Sequence, residues 1–212
     1  LEYVYYYGKG YLPYAKAAYD TMTLEQVVED KCKYSGRDPK SFLSLDEVLK
    51  MDDISGENGR FVRVITAANG KKAFLRIYKD NHVYPYESQI STALKTLLQE
   101  APMVGFVTGH KERSGMDMGE KGYGTFASNK TFRYSLENSG YGVREISLEH
   151  PVAEDINIIV LADMRSDFTE EEFRNFDAYL ERGGNLFILG EPKRQQFMNP
   201  VIERLGLRFA DG

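Results

Sequence analysis

Residues 156–192 read INIIVLADMRSDFTEEEFRNFDAYLERGGNLFILGEP, and this stretch decides the fold. INIIVLA (156–162) is apolar at nearly every position, as in a strand buried on both faces. The next stretch, 168–184, carries complete helix punctuation. Thr169 caps the start, with Glu172 three residues on to form a capping box. Acidic residues fill the first turn and Arg182 sits in the last, complementing the helix dipole. Gly183 supplies the left-handed stop. NLFILG (185–190) is then a second buried strand. Apolar strands joined by an amphipathic helix predict a parallel sheet with right-handed crossovers.

The same rhythm extends upstream to Pro102. MVGFVT (103–108) is a continuously apolar strand, followed by a Gly-rich polar loop over 109–128. A helix is expected near 129–139, ending at Gly140, and a weaker alternating strand over 142–148. PVIERLG (200–206) reads as a last short helix and LRF (207–209) as the start of a further strand. Residues 101–212 are thus expected to form a flavodoxin-like, doubly wound α/β domain with strand order 2-1-3-4.

Residues 1–100 are expected to form a smaller α+β unit. Capped helices are predicted over 23–34 (Thr23 with Gln26) and 44–51 (Ser44 with Glu47). RFVRVITA and KAFLRIY flank an Asn-Gly turn and predict a hairpin. A joining helix over 86–100 carries Ile90, Ala93, Leu94, Leu97 and Leu98 at helical spacing.

Composition narrows the function classes. The 212 residues are 42% hydrophobic and 28% charged, as in an ordinary globular protein. The net charge is −5 and no Lys/Arg block stands out, which argues against a nucleic-acid partner. The Tyr-rich start, YVYYYGKGYLPY, carries only Lys9 and reads as a packing or interface segment. Cys32 is the single cysteine, so no intrachain disulfide or Cys-based metal site is available. No run approaches the roughly 20 apolar residues of a membrane helix. The chain starts at Leu1, which suggests an excised or processed piece of a longer protein.

In an open α/β sheet, ligands bind beyond the carboxyl ends of the strands, where the strand order reverses. Three loops qualify. They carry Gly109, His110 and Glu112; Asp163 and Arg165; and Glu191, Lys193 and Arg194. With order 2-1-3-4, His110 is expected to flank one crevice with Asp163 and Arg165. Catalysis lacks its parts: there is no G-x-S-x-G elbow and no Cys within 101–212. His110, Glu112, Asp163 and Glu191 offer metal-type ligands, but one His with scattered carboxylates is a poor zinc set, and no metal is assigned. GYGTFA (122–127) matches G-x-G-x-x-A, yet it lies too far beyond the first strand to cradle a pyrophosphate and reads as a flexible loop. No cofactor is assigned. NKT (129–131) is formally a glycosylation sequon, a pattern common by chance.

VGFVTGHKE, followed by the 156–192 stretch, resembles the GldG-like auxiliary proteins of bacterial ABC transporters associated with gliding motility. The shared features are Gly109, His110 and Glu112 at a strand end, the helix from Thr169 to Gly184, and Glu191-Pro192. The resemblance covers residues 86–212, and residues 1–60 follow it loosely. It implies a fold related to class I amidotransferase-like domains without their catalytic Cys. It further implies a non-enzymatic, extracytoplasmic (periplasmic) domain of a membrane-anchored parent protein. The implied partners are the permease and ATPase subunits of an export complex. It supplies no catalytic residue. A small sugar- or anion-binding module using the strand-end crevice is the alternative, and a hydrolase is a third reading.

Overall fold

A parallel pairing of two three-residue strands holds the first part of the chain together. The computed structural model describes residues 4–7, 21–57, 60–78, 80, 82 and 84–210. Contacts divide the chain into two units, Leu1–Val62 and Arg63–Gly212. In the first, β1 (Tyr5–Tyr7) pairs with β2 (Phe42–Ser44). Helices α1 (Leu24–Ser35) and α2 (Leu45–Met51) begin with the expected capping boxes at Thr23/Gln26 and Ser44/Glu47. Cys32 is buried on α1 beside the likewise buried Val27 and Val28 of that helix. The Tyr-rich start falls mostly outside the described residues; within it, Tyr5 packs its ring 5.6 Å from that of Phe42.

The second unit begins with the hairpin strands β3 (Val62–Thr66) and β4 (Lys72–Arg76). The predicted Asn-Gly turn is there, with Gly70 at φ 82°. Helix α3 (Glu87–Leu98) buries Ala93 and Leu97 against Ala73 and Leu75 of β4. Contacts group the hairpin and α3 with the sheet that follows. The apolar face of α3 is also narrower than its spacing suggests, because Ile90, Leu94 and Leu98 are exposed.

The sheet contains β5 (Met103–Val107), β6 (Gly142–Ile146), β7 (Ile156–Ala162) and β8 (Asn185–Leu189). All pairings are parallel and the order is β6-β5-β7-β8, which is the expected 2-1-3-4. Alternation sends side chains to two cores. On one face Val107, Ile159 and Leu161 pack with Phe176 and Tyr179 of α5 (Glu170–Glu181). Met198 and Val201 of the last helix join them. On the other face Val104, Phe106, Val160 and Ala162 pack against Ala127, Tyr123 and Leu136.

The connections are less regular than a doubly wound pattern predicts. The expected helix over 129–139 is replaced by the single turn α4 (Gly124–Ala127), bends, and a 3-10 turn at Glu137–Ser139. The cause is local. The side-chain amide of Asn138 donates to the carbonyls of Asn129, Lys130 and Phe132, so this Asn- and Ser-rich segment satisfies its backbone without a helical ladder. The link from β6 to β7 has no helix at all. Side chains of α5 and of its C-cap tie it down: Asn175 donates to the Leu148 carbonyl, and Arg182 to those of Val152 and Ala153.

The chain's end also departs from expectation. The last helix, α6 (Gln195–Ile202), starts earlier and holds Pro200 inside it. No strand forms at 207–209: the Phe209 amide donates to the Asn199 side chain instead. Its ring lies so close to Gly190 that a Cβ there would fall 2.4 Å away.

A buried arginine pins α3 to the 129–139 segment. Arg133, 3% exposed, donates two hydrogen bonds to Asp80, at 2.6 and 2.8 Å, and a third to Gln89 of α3 at 3.0 Å. Its guanidinium also lies 4.5 Å from the centre of the Tyr78 ring and 4.3 Å from that of Tyr86. The hydrogen bonds from Arg133 hold the Asp80 carboxyl down at about 2, against a usual 3.8, with burial opposing and the His82 amide helping.

Two outcomes are expected. Phe176→Ala removes a ring that is 0% exposed and lowers stability by about 3–5 kcal/mol, read by urea denaturation. Asp80 has a folded-state pKa below its unfolded one, so its stabilisation is complete above pH 3.8 and is lost as the pH falls towards about 2. The melting-temperature gap between wild type and Asp80→Asn should be wide at pH 6 and close near pH 2. A gap that does not change with pH would contradict the charge pairing.

Candidate functional site

Two polar nodes lie beyond the carboxyl ends of β5, β7 and β8. The first is built by the Gly-His-Lys-Glu turn after β5. Gly109 turns the chain at φ 123° and Lys111 follows at φ 60°, which doubles the loop back on itself. The backbone N–H of His110 then donates to Glu112 Oε2 at 2.6 Å, and His110 Nδ1 faces Glu112 Oε1 at 3.1 Å. The other ring nitrogen, Nε2, lies 3.1 Å from Glu172 Oε1. Phe168 meets the imidazole edge to face, with ring centres 4.8 Å apart.

Glu172 has a double role. Its carboxylate completes the α5 capping box by accepting the Thr169 amide at 2.7 Å, and it also receives His110. Burial pushes the Glu172 carboxyl up, but the Thr169 and His110 hydrogen bonds outweigh it, and the net shift is downward. His110, Glu112 and Glu172 have side chains only 7%, 1% and 7% exposed. A neutral imidazole carries one N–H, so both carboxylates receive a proton from the ring only when it is an imidazolium.

The second node surrounds Asp163. This residue follows β7 directly, adopts φ 54°, and donates its amide to the Leu189 carbonyl at 2.8 Å. Its side chain is 1% exposed and carries two well-formed arginine pairs. Oδ2 accepts from Arg165 Nε and Nη2 at 3.1 and 2.7 Å, and Oδ1 accepts from Arg194 Nε at 3.1 Å. Arg113 brings its Nε to 3.8 Å from Oδ2, too far for a hydrogen bond, while its Nη2 binds Glu191. The Asp163 hydrogen bonds raise the Arg165 pKa further above its usual value.

The candidate residues are therefore divided between the nodes. Gly109, His110 and Glu112 form one, and Asp163, Arg165, Glu191 and Arg194 the other. The imidazole does not face Asp163; the nodes join through the backbone, where the Arg165 amide donates to the His110 carbonyl at 2.9 Å. Lys193 joins neither and lines a broad depression of about 610 Å³ with Asn199, Glu203 and Arg208.

Three partners escaped sequence reasoning. Glu172 was visible only as a capping residue, and neither Phe168 nor Arg113 carried a signal. The Gly122-x-Gly124 motif has a packing explanation. A Cβ at either position would fall 2.1 or 2.5 Å from the Asp117 carbonyl oxygen. Backbone bonds from Tyr123 to Ser114 and from Gly124 to Asp117 tie this loop down, where a flexible one was expected.

A family model described as an ABC-type uncharacterized transport system, the auxiliary domain, matches residues 101–211. The chain belongs to this family. No curated protein and no solved structure matches it. The span matched to the ABC-transport auxiliary family contains the whole four-stranded sheet and both polar nodes. Asp80 and Gln89, the partners of Arg133, precede it.

In this auxiliary domain the first node is a clamp between the end of β5 and the start of α5. His110→Ala should leave two buried carboxylates without their shared partner and destabilise the fold by roughly 3 kcal/mol. Arg174→Gln removes an exposed pair on α5 and serves as the near-neutral control. Equal denaturation midpoints for the two variants would show that the clamp contributes little.

Proposed function

We propose that this chain is a GldG-like, non-enzymatic accessory domain on the extracytoplasmic face of the bacterial inner membrane. It serves an ABC export complex by contacting a partner or substrate. The observation that carries the reading is the family match over 101–211. A flavodoxin-like sheet related to amidotransferase-like domains, with its catalytic Cys absent, agrees with the 2-1-3-4 order. The state of His110 favours a binding role over turnover. Both of its ring nitrogens face buried carboxylates, so neither is open to a substrate proton. Among the described residues no helix is long and apolar enough to cross a membrane.

Affinity capture of the tagged full-length protein from detergent-solubilised membranes tests this reading. Permease and ATPase subunits should co-purify in defined proportion. Recovery of soluble cytoplasmic proteins alone would overturn it.

A second reading, a small-ligand module, is favoured by the arginines gathered on Asp163. The ligand would sit at that node and not against the His110 ring. Ligand that binds the folded state raises the melting temperature by mass action, so a panel of neutral sugars and anions tests the reading.

A further inference from the structure

We propose that the second node binds an oxyanion, a carboxylate or phosphate group, at the open ends of Arg165 and Arg194 above Asp163. This deepens the small-ligand reading and rests on it.

The first observation is charge. Arg113, Arg165 and Arg194 supply three positive charges, and Asp163 and Glu191 supply two negative ones, which leaves a surplus of one. Both Arg165 bonds go to Oδ2 and Arg194 serves Oδ1, so the buried carboxylate is satisfied with three of the N–H-bearing nitrogens and the other guanidinium nitrogens are left over.

The second observation is geometry. Arg165 and Arg194 take opposite oxygens of the same carboxylate, and each uses its Nε to do so. Among the described residues no acceptor meets Arg165 Nη1 or either terminal nitrogen of Arg194. Their side chains are 34% and 29% exposed, so these donors reach solvent while the Nε ends are held. Arg113 Nε is buried beside them with no acceptor.

The third observation is position. Asp163 is fixed by the hydrogen bond from its amide N–H to the Leu189 carbonyl of β8, at the carboxyl end of β7 and beside the point where the strand order reverses. Two guanidiniums held on a buried carboxylate have already lost most of their rotamer freedom, and a ligand does not have to order them. The planar fork of each matches the paired oxygens of a carboxylate or phosphate.

Calorimetric titration and thermal shift on the purified chain test the proposal. The probes are inorganic phosphate, acetate, glucose, and chloride at matched ionic strength. Phosphate or acetate should bind saturably, and chloride should not. Arg194→Gln should weaken that binding about 10-fold, and it should also lower the ligand-free melting temperature, because Asp163 Oδ1 loses its arginine; the affinity is therefore read by calorimetry at a temperature where the variant is folded. Arg174→Gln should bind as wild type does. Chloride reproducing the oxyanion effect, or Arg194→Gln binding like wild type, overturns the proposal. Arginine-dependent binding of glucose without oxyanion binding overturns it but leaves the small-ligand reading standing. No saturable binding by any probe overturns both.

Discussion

The imidazole of His110, held between the carboxylates of Glu112 and Glu172, fixes the end of β5 against the start of α5. Three ionisable side chains are buried there, and burial is tolerable only when each finds its partner. Glu172 must also cap α5, so the helix can start in only one place relative to the ring. The His110 carbonyl then receives the Arg165 amide and sets the chain that carries Asp163. The arginine node thus inherits its geometry from the clamp. Sequence placed His110 in a crevice, whereas its structural work is to hold the crevice walls.

The sheet was readable because its signals are local. Continuous apolar runs at 103–108 and 156–162, and the fully punctuated helix between Thr169 and Gly183, left little freedom in topology. The 129–139 segment was misread because Asn138 bonds across nine residues to three carbonyls, which no periodicity encodes. Strand 207–209 failed for a similar reason, since the side chain of Asn199 took the amide that a ladder would have used. In the site, residue types and loops were legible, but pairing was not. Which carboxylate meets His110 depends on a helix that begins 60 residues later, and Glu172 had already been given a complete local explanation as a cap.

The two faces of the sheet are stabilised by different means. One relies on long apolar side chains from α5 and α6. The other has little helix, and its apolar cluster is supplemented by polar side chains that bridge loops: Asn138 within its own segment, and Arg133 reaching to Asp80 and Gln89. Apolar burial is tolerant of small shifts, whereas a bidentate guanidinium is not.

That difference bears on where the folding unit begins. Arg133 lies within the span matched to the family, but its carboxylate and amide partners lie upstream of residue 101. A fragment cut at the family boundary would keep the guanidinium and lose both acceptors, as well as the Tyr78 and Tyr86 rings beside it. One arginine's hydrogen bonds thus tie the family span to the chain ahead of it. With the Tyr78 ring counted, that tie reaches about 25 residues ahead of Met103, where the sheet's first strand begins.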